Sequence, residues 1–207
     1  MFKSSQSQLY CVLRIIVLWF FSLLAIPTYA NIGINWLASQ AQPDGSYSTS
    51  ADLAMPFQAT TETWRTFAQM GQTQTTEPSM TVALDFINAE SFASSEYLTK
   101  ILVTKILAGQ VTGDLVSELT GRLQFDGGLG DAVDYDRSVL DTALALEALA
   151  MASLDDISIE ELNSSIDFLL RQQHESGGWA DNDNETSVYV TAIVMRALWH
   201  YRHQQST

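Results

Sequence analysis

Two stretches in the second half of the chain read as copies of one another. When LQFDGGLGDAVDYDRSVLDTALALEAL, from Leu123, is set above QQHESGGWADNDNETSVYVTAIVMRAL, from Gln172, Gly127-Gly128-Leu129 falls on Gly177-Gly178-Trp179, an offset of 50. A single deletion then brings Thr142-Ala143 onto Thr191-Ala192 and Ala148-Leu149 onto Ala197-Leu198. Each copy is a helical stretch, a glycine turn and a second helical stretch, which makes an αα-hairpin. One hairpin cannot bury both of its faces, so recurring hairpins have to stack and share a continuous core. The first unit echoes the pattern with INWLASQAQPDGSY followed by TTETWRTF, and the region around 80 to 108 keeps two helices without the glycine turn. The expected fold is therefore all-α, with about four αα-hairpins in an open arc or partial ring.

Breakers and apolar spacing predict eight helices. They are expected near 31–42, at 60–70 ending on Gly71, at 80–90, at 95–108 ending on Gly109, from Asp114 as N-cap, at 138–152, after Ser158, and at 187–202. Ser158 with Glu161 three residues on is a capping box. SVLDTALALEALAMA, from Ser138, is almost wholly small or apolar and so is expected to be buried on most of its circumference.

At these residues the chain resembles the prenyltransferase and squalene-cyclase repeat superfamily, whose hairpins build an α/α toroid. Gln173, Gly177 and Trp179 match that family's Gln-Trp motif. The first unit has Gly45 and Tyr47, with Tyr in the Trp position and Ala41 where Gln would stand, and the third has Gly127 and Gly128 followed by Leu129. The resemblance covers about residues 32 to 203 and is strongest in the last two units. It implies a toroid of about six hairpins, so four imply an open arc, an incomplete ring or a fragment of a longer design.

The resemblance does not carry the family's chemistry with it. Class II cyclases protonate through Asp-x-Asp-Asp, and the nearest string here is Asp134-Tyr135-Asp136-Arg137, where Arg replaces the last acid and would favour the carboxylate. Protein prenyltransferases hold Zn²⁺ with Asp, Cys and His, and the thioester proteins of the same fold need a Cys. The single cysteine, Cys11, lies in the N-terminal leader.

That leader has Lys3 and Arg14, an apolar run from Ile15 to Ile26, then Pro27-Thr28-Tyr29-Ala30, which reads as a secretory signal peptide cleaved after Ala30. The run is shorter than the roughly 20 residues that span a bilayer, and an uncleaved anchor is the alternative. The two readings divide the chain into a signal peptide, 1–30, and a helical domain, 31–207, with a periplasmic or secreted location and no stable membrane insertion after cleavage. Of the ten Lys and Arg two lie in the leader, so the remainder carries 24 acids against eight bases, about −16. Such a charge repels nucleic acid and other polyanions.

Several residues stand out as site candidates. Arg65, Glu147 and Arg196 occupy one repeat position and, on the concave side, would form a charged stripe for a ligand or else bridge neighbouring helices. Trp64 and Trp199 lie on the same helices, as stacking platforms or as core. Asp134, Asp136 and Asp141 are the carboxylates to consider for catalysis, with Ser138 before Asp141 suggesting a cap instead. Asp181, Asp183 and Glu185 alternate like the start of a calcium loop but lack its later Gly and Glu, so no cofactor is expected beyond this one calcium option. The three histidines form no metal-binding pair, and there is no nucleophile elbow or phosphate loop. The expected function is a non-catalytic exported module that binds a protein or glycan. The alternatives are a terpene-cyclase-like or polysaccharide-degrading enzyme, and a structural unit that completes a ring with a second copy or another chain.

Overall fold

The computed structural model describes residues 32–49, 55–72, 80–90, 94–132, 135–152, 157–181 and 185–202. The leader, Asp134, Asp183 and His203 lie outside these residues. The described chain is mostly helical: α1 (32–38), α2 (Pro56–Gln69), α3 (Met80–Ala89), α4 (Ser95–Leu107), α5 (Gly113–Thr120), α6 (Val139–Met151), α7 (Ile159–Arg171) and α8 (Val188–His200). Between α5 and α6, β1 (Leu129–Gly130) pairs antiparallel with β2 (Arg137–Ser138), Leu129 opposite Ser138. Two-residue strands are too short to show alternation, which is why the sequence reads only a turn there. Among the described residues no helix is long and apolar enough to cross a membrane.

Three boundaries differ from expectation. α1 stops at residue 38 rather than near 42, because the Gln42 N–H already donates to Ser46 in the first glycine turn. α2 begins four residues early, at Pro56, whose fixed φ suits the first helical position and whose missing N–H costs nothing there. Asp114 is not the cap of α5; Thr112 holds that position and Asp114 lies in the first turn, where its charge meets the positive end of the helix. The capping box of α7 forms as read, with the Glu161 N–H donating to Ser158 Oγ and the Ser158 N–H to Glu161 Oε2.

The even-numbered helices pack in sequence, α2 on α4, α4 on α6 and α6 on α8, while α3, α5 and α7 lie against them. Glycine turns precede α2, α6 and α8, and all three share one hydrogen-bond pattern. The N–H of Gln42, Gln124 and His174 donates to the carbonyl of Ser46, Gly128 and Gly178, and the N–H of Gly45, Gly127 and Gly177 donates back to the same three residues. Each leading glycine has a φ near +90° (91°, 84° and 86°), a conformation that a Cβ strains. One residue past each glycine pair position, the N–H of Tyr47, Leu129 or Trp179 donates to the hydroxyl of Thr60, Thr142 or Thr191 in the first turn of the following helix.

Two of the turns also press against helices later in the chain. A Cβ on Gly45 would strike the Val82 carbonyl of α3, and one on Gly127 the Ser164 carbonyl of α7. Both contacts lie 37 residues after the glycine, 45 to 82 and 127 to 164. The Phe168 ring covers Gly128 in the same contact.

The core runs as two apolar clusters that meet at α4. Phe57, Trp64, Phe67, Ala83, Ile87 and Ile101 form one, and Leu102, Leu119, Leu129, Leu146, Leu149, Leu169, Trp179 and Val194 belong to the other, with Leu115 packed against both. α6 is buried on most of its circumference, as its composition requires. Each of its fully buried leucines contributes about 1.5–3 kcal/mol by leaving water.

Candidate functional site: a cleft around Glu147

Glu147 lies on α6 with its side chain only 6% exposed, and a buried carboxylate needs compensating charge. It has two partners. Its Oε1 accepts from Arg65 Nη2 of α2 at 3.1 Å and its Oε2 from Arg196 Nη2 of α8 at 2.6 Å. The reach from α2 to α6 passes across α4, which packs between them. The three residues that the repeat alignment placed at one position therefore converge, and as salt bridges between helices.

They sit in a cleft of about 250 Å³, which Thr61, Thr99, Thr104, Val103, Leu144, Tyr189 and Ile193 also line. Lys100, on α4, reaches Glu62 of α2 at 3.0 Å within the same cleft. Three cations and two carboxylates leave this concavity net positive in a chain whose formal charge is −14. Water screens the partly exposed arginines, and the remaining local excess of positive charge disfavours a second cation. A second hollow, about 630 Å³, opens beside the first glycine turn between Pro43, Met55, Phe86 and Tyr97, and none of the residues singled out in the sequence lines it.

The two tryptophans part company. Trp64 is not available to a ligand: it is buried in the first core cluster and its indole N–H donates to the Met80 carbonyl at 3.2 Å. Trp199 is exposed, with the Arg202 guanidinium 4.0 Å from its ring centroid. Trp179 is likewise structural, its indole donating to the Leu169 carbonyl at 2.7 Å while Gln173 Nε2 donates to the Gly177 carbonyl.

The acidic loops act on helix ends. Asp181 Oδ1 accepts from the Ser138 hydroxyl at 2.8 Å and from the Leu140 N–H at 3.2 Å, and Ser138 Oγ in turn accepts the Asp141 N–H. Asp181 thus closes the N-terminus of α6. Fifty residues earlier, Asp131 does the same for α4, its carboxylate taking the Ser94 hydroxyl and its carbonyl the Ser95 N–H, both at 2.6 Å. Asp181, which in the sequence alternates with Asp183 and Glu185 as the start of a calcium loop would, thus meets a helix end that the sequence pattern does not show. Among the described residues no group of three or more His, Cys, Asp or Glu is placed to hold a metal; Glu185 is exposed.

Of the catalytic carboxylates, Asp136 is exposed and Asp141 is half-buried in the first turn of α6. Arg137 does not serve them: its guanidinium pairs with Asp126 at 2.6 Å. Burial first, helped by the charges of Asp131, Asp181 and Glu96 and opposed by the Ser138 hydroxyl, raises the Asp141 carboxyl to about 6.

Set against known proteins, the chain matches no family model and no curated sequence.

Proposed function

We propose that this chain is an exported, non-catalytic repeat module, four αα-hairpins in an open arc of α/α-toroid type, which holds a protein or glycan in the cleft around Glu147. The carrying observation is the pair of arginines, from helices at opposite sides of the cleft, fixed on one buried carboxylate. A carboxylate pinned this way presents the remaining guanidinium N–H groups at set positions, and Arg forks of this kind suit carboxylates and hydroxyl pairs. The shared turn geometry, the row of even-numbered helices and the turn-to-next-hairpin contacts support the arc; the leader supports export. The test is to probe glycan and acidic-peptide arrays with the wild-type protein and with Arg65→Ala and Arg196→Ala. Binding that both variants lose supports the reading. Binding that neither variant changes, or turnover of an arrayed compound, sinks it.

One observation favours the enzymatic alternative. A carboxyl raised to about 6, as Asp141 is, can give up a proton near neutrality as a general acid does. The capping network around Asp141 gives it a structural role as well. An Asp141→Asn variant that keeps its fold and loses turnover of a glycan or isoprenoid would promote this reading over the first.

A further inference from the structure

The inter-hairpin contacts supply a template for what the two ends of the array would accept. Inside the chain, α6 packs on α8, and Val139, Ala143 and Leu146 of α6 are buried, with Ala150 packed against the same core. With Thr142 aligned on Thr191, the same positions of α8 are Val188, Ala192, Met195 and Trp199. Val139 is 5% exposed and Val188 89%; Leu146 is 1% exposed and Met195 62%. Among the described residues the Arg202 guanidinium lies over the Trp199 ring at one end of this α8 stripe, while Val188 and Met195 stay exposed. The turn beside it is open in the same sense: the Cβ positions of Gly45 and Gly127 run into the next hairpin, whereas one built on Gly177 meets nothing within 4 Å.

The opposite end carries the complementary half. Phe168, which covers the Gly128 turn, stands nine residues ahead of its own glycine, Gly177, and Ser164 stands thirteen ahead. The residues nine and thirteen ahead of Gly45 are Trp36 and Ile32, and both are exposed, Trp36 at 57%. Beside them is a hollow of about 190 Å³ lined by Trp36 and, from α2, by the half-buried Ala59 and, at its floor, the buried Thr63. Bulky apolar knobs at one end thus face a dent between small residues at the other, the relation that helix packing needs.

We infer that the α8 end of one copy docks on the α1–α2 end of a second copy, with Trp36 over the Gly177–Gly178 turn and the Val188–Met195–Trp199 stripe against Ala59 and Thr63. The contact is heterologous, so each copy keeps one free end of each kind unless a ring closes. The inference rests on the repeat register used in the proposed function, and goes beyond it by naming the occupant.

The test uses the protein as the producing cell leaves it, with wild type, Trp36→Glu and Met195→Glu followed by sedimentation at concentrations up to about 0.5 mM, where even small, weak interfaces register. Wild type is expected to grow in mass with concentration beyond a monomer. Each variant alone should remain monomeric, and an equimolar mixture of the two should give a twofold mass, because each retains the end the other lacks. Circular dichroism melts within a few degrees of wild type keep misfolding apart from lost docking. A wild type that stays monomeric throughout overturns the inference, and so does Trp36→Glu pairing with itself, which would mean that α8 stripes pair with each other. The register is tested separately by comparing Gly127→Ala with Gly177→Ala, as set out below; if that comparison holds and wild type is monomeric, the docking fails and the repeat stands.

Discussion

Glu147 gives one carboxylate oxygen to Arg65 and the other to Arg196, so a single buried side chain joins α2, α6 and α8. Replacing it with Ala leaves two guanidinium groups near one another without their shared counter-charge. Both arginines are partly exposed and screened by water, so the expected loss is on the order of 2 kcal/mol rather than the larger value of a fully buried pair. Arg196→Ala should cost about 1 kcal/mol or less, since its side chain is nearly half exposed. Urea midpoints at pH 7 check the order, and a Glu147→Ala protein no less stable than Arg196→Ala would contradict it.

Gly127 and Gly177 have the same backbone conformation in different surroundings. Gly127→Ala pushes a methyl group into the Ser164–Ser165 backbone and is expected to cost about 3 kcal/mol or more. Gly177→Ala meets open space and should cost only the backbone strain, about 1 kcal/mol. Equal denaturation midpoints for the two variants would argue against the close contact at Gly127.

Asp141 makes stability depend on pH in a specific direction. Its carboxyl rises from 3.8 to about 6 on folding, so the folded state holds the proton more tightly than the unfolded state. The contribution is fully present below about pH 4 and is lost as pH rises through about 6. Asp141→Asn keeps an uncharged group at every pH, and should raise stability by about 1 kcal/mol at pH 7.5 with little effect at pH 4. Melts of both proteins between pH 4 and 8 give the difference curve; a gap that widens toward low pH would overturn the assignment.

The Tyr47 hydroxyl is buried and has no hydrogen-bond partner among the described residues, an expense that Trp179 avoids by donating to Leu169. Tyr47→Phe is therefore expected to be neutral or stabilising by about 1 kcal/mol. Trp179→Phe loses both a bond and volume and should cost about 2 kcal/mol. Thermal melts of the pair should move in opposite directions, and a destabilised Tyr47→Phe would point to a partner for the hydroxyl.

The parts legible in the sequence were those fixed within a hairpin or by its copy. The Ser158–Glu161 box, the positive-φ glycines and the burial of α6 follow from local chemistry, and the convergence of Arg65, Glu147 and Arg196 follows from aligning one hairpin on another. What was missed depends on partners distant in the chain. The caps that Asp131 and Asp181 make do not show in the sequence, because their partners Ser94 and Ser138 lie 37 and 43 residues earlier. Trp64 could be read as platform or, by the usual rule for aromatics at helical spacing, as core, and its contact with the Met80 carbonyl, sixteen residues on, makes it core. Pro56 was passed over because the run of threonines after it looks more like a helix entrance than a first turn.

The caps that Asp131 and Asp181 provide have a consequence for synthesis. A chain made from its N-terminus exposes the start of α6 well before Asp181, which lies 43 residues beyond Ser138, and α4 waits 37 residues from Ser94 for Asp131. At about 5–20 residues per second each helix spends a few seconds with its first N–H groups unfinished. Nascent hairpins should therefore remain open to a protease or a holding chaperone until the following turn has emerged, so that assembly advances in steps one hairpin behind the growing end.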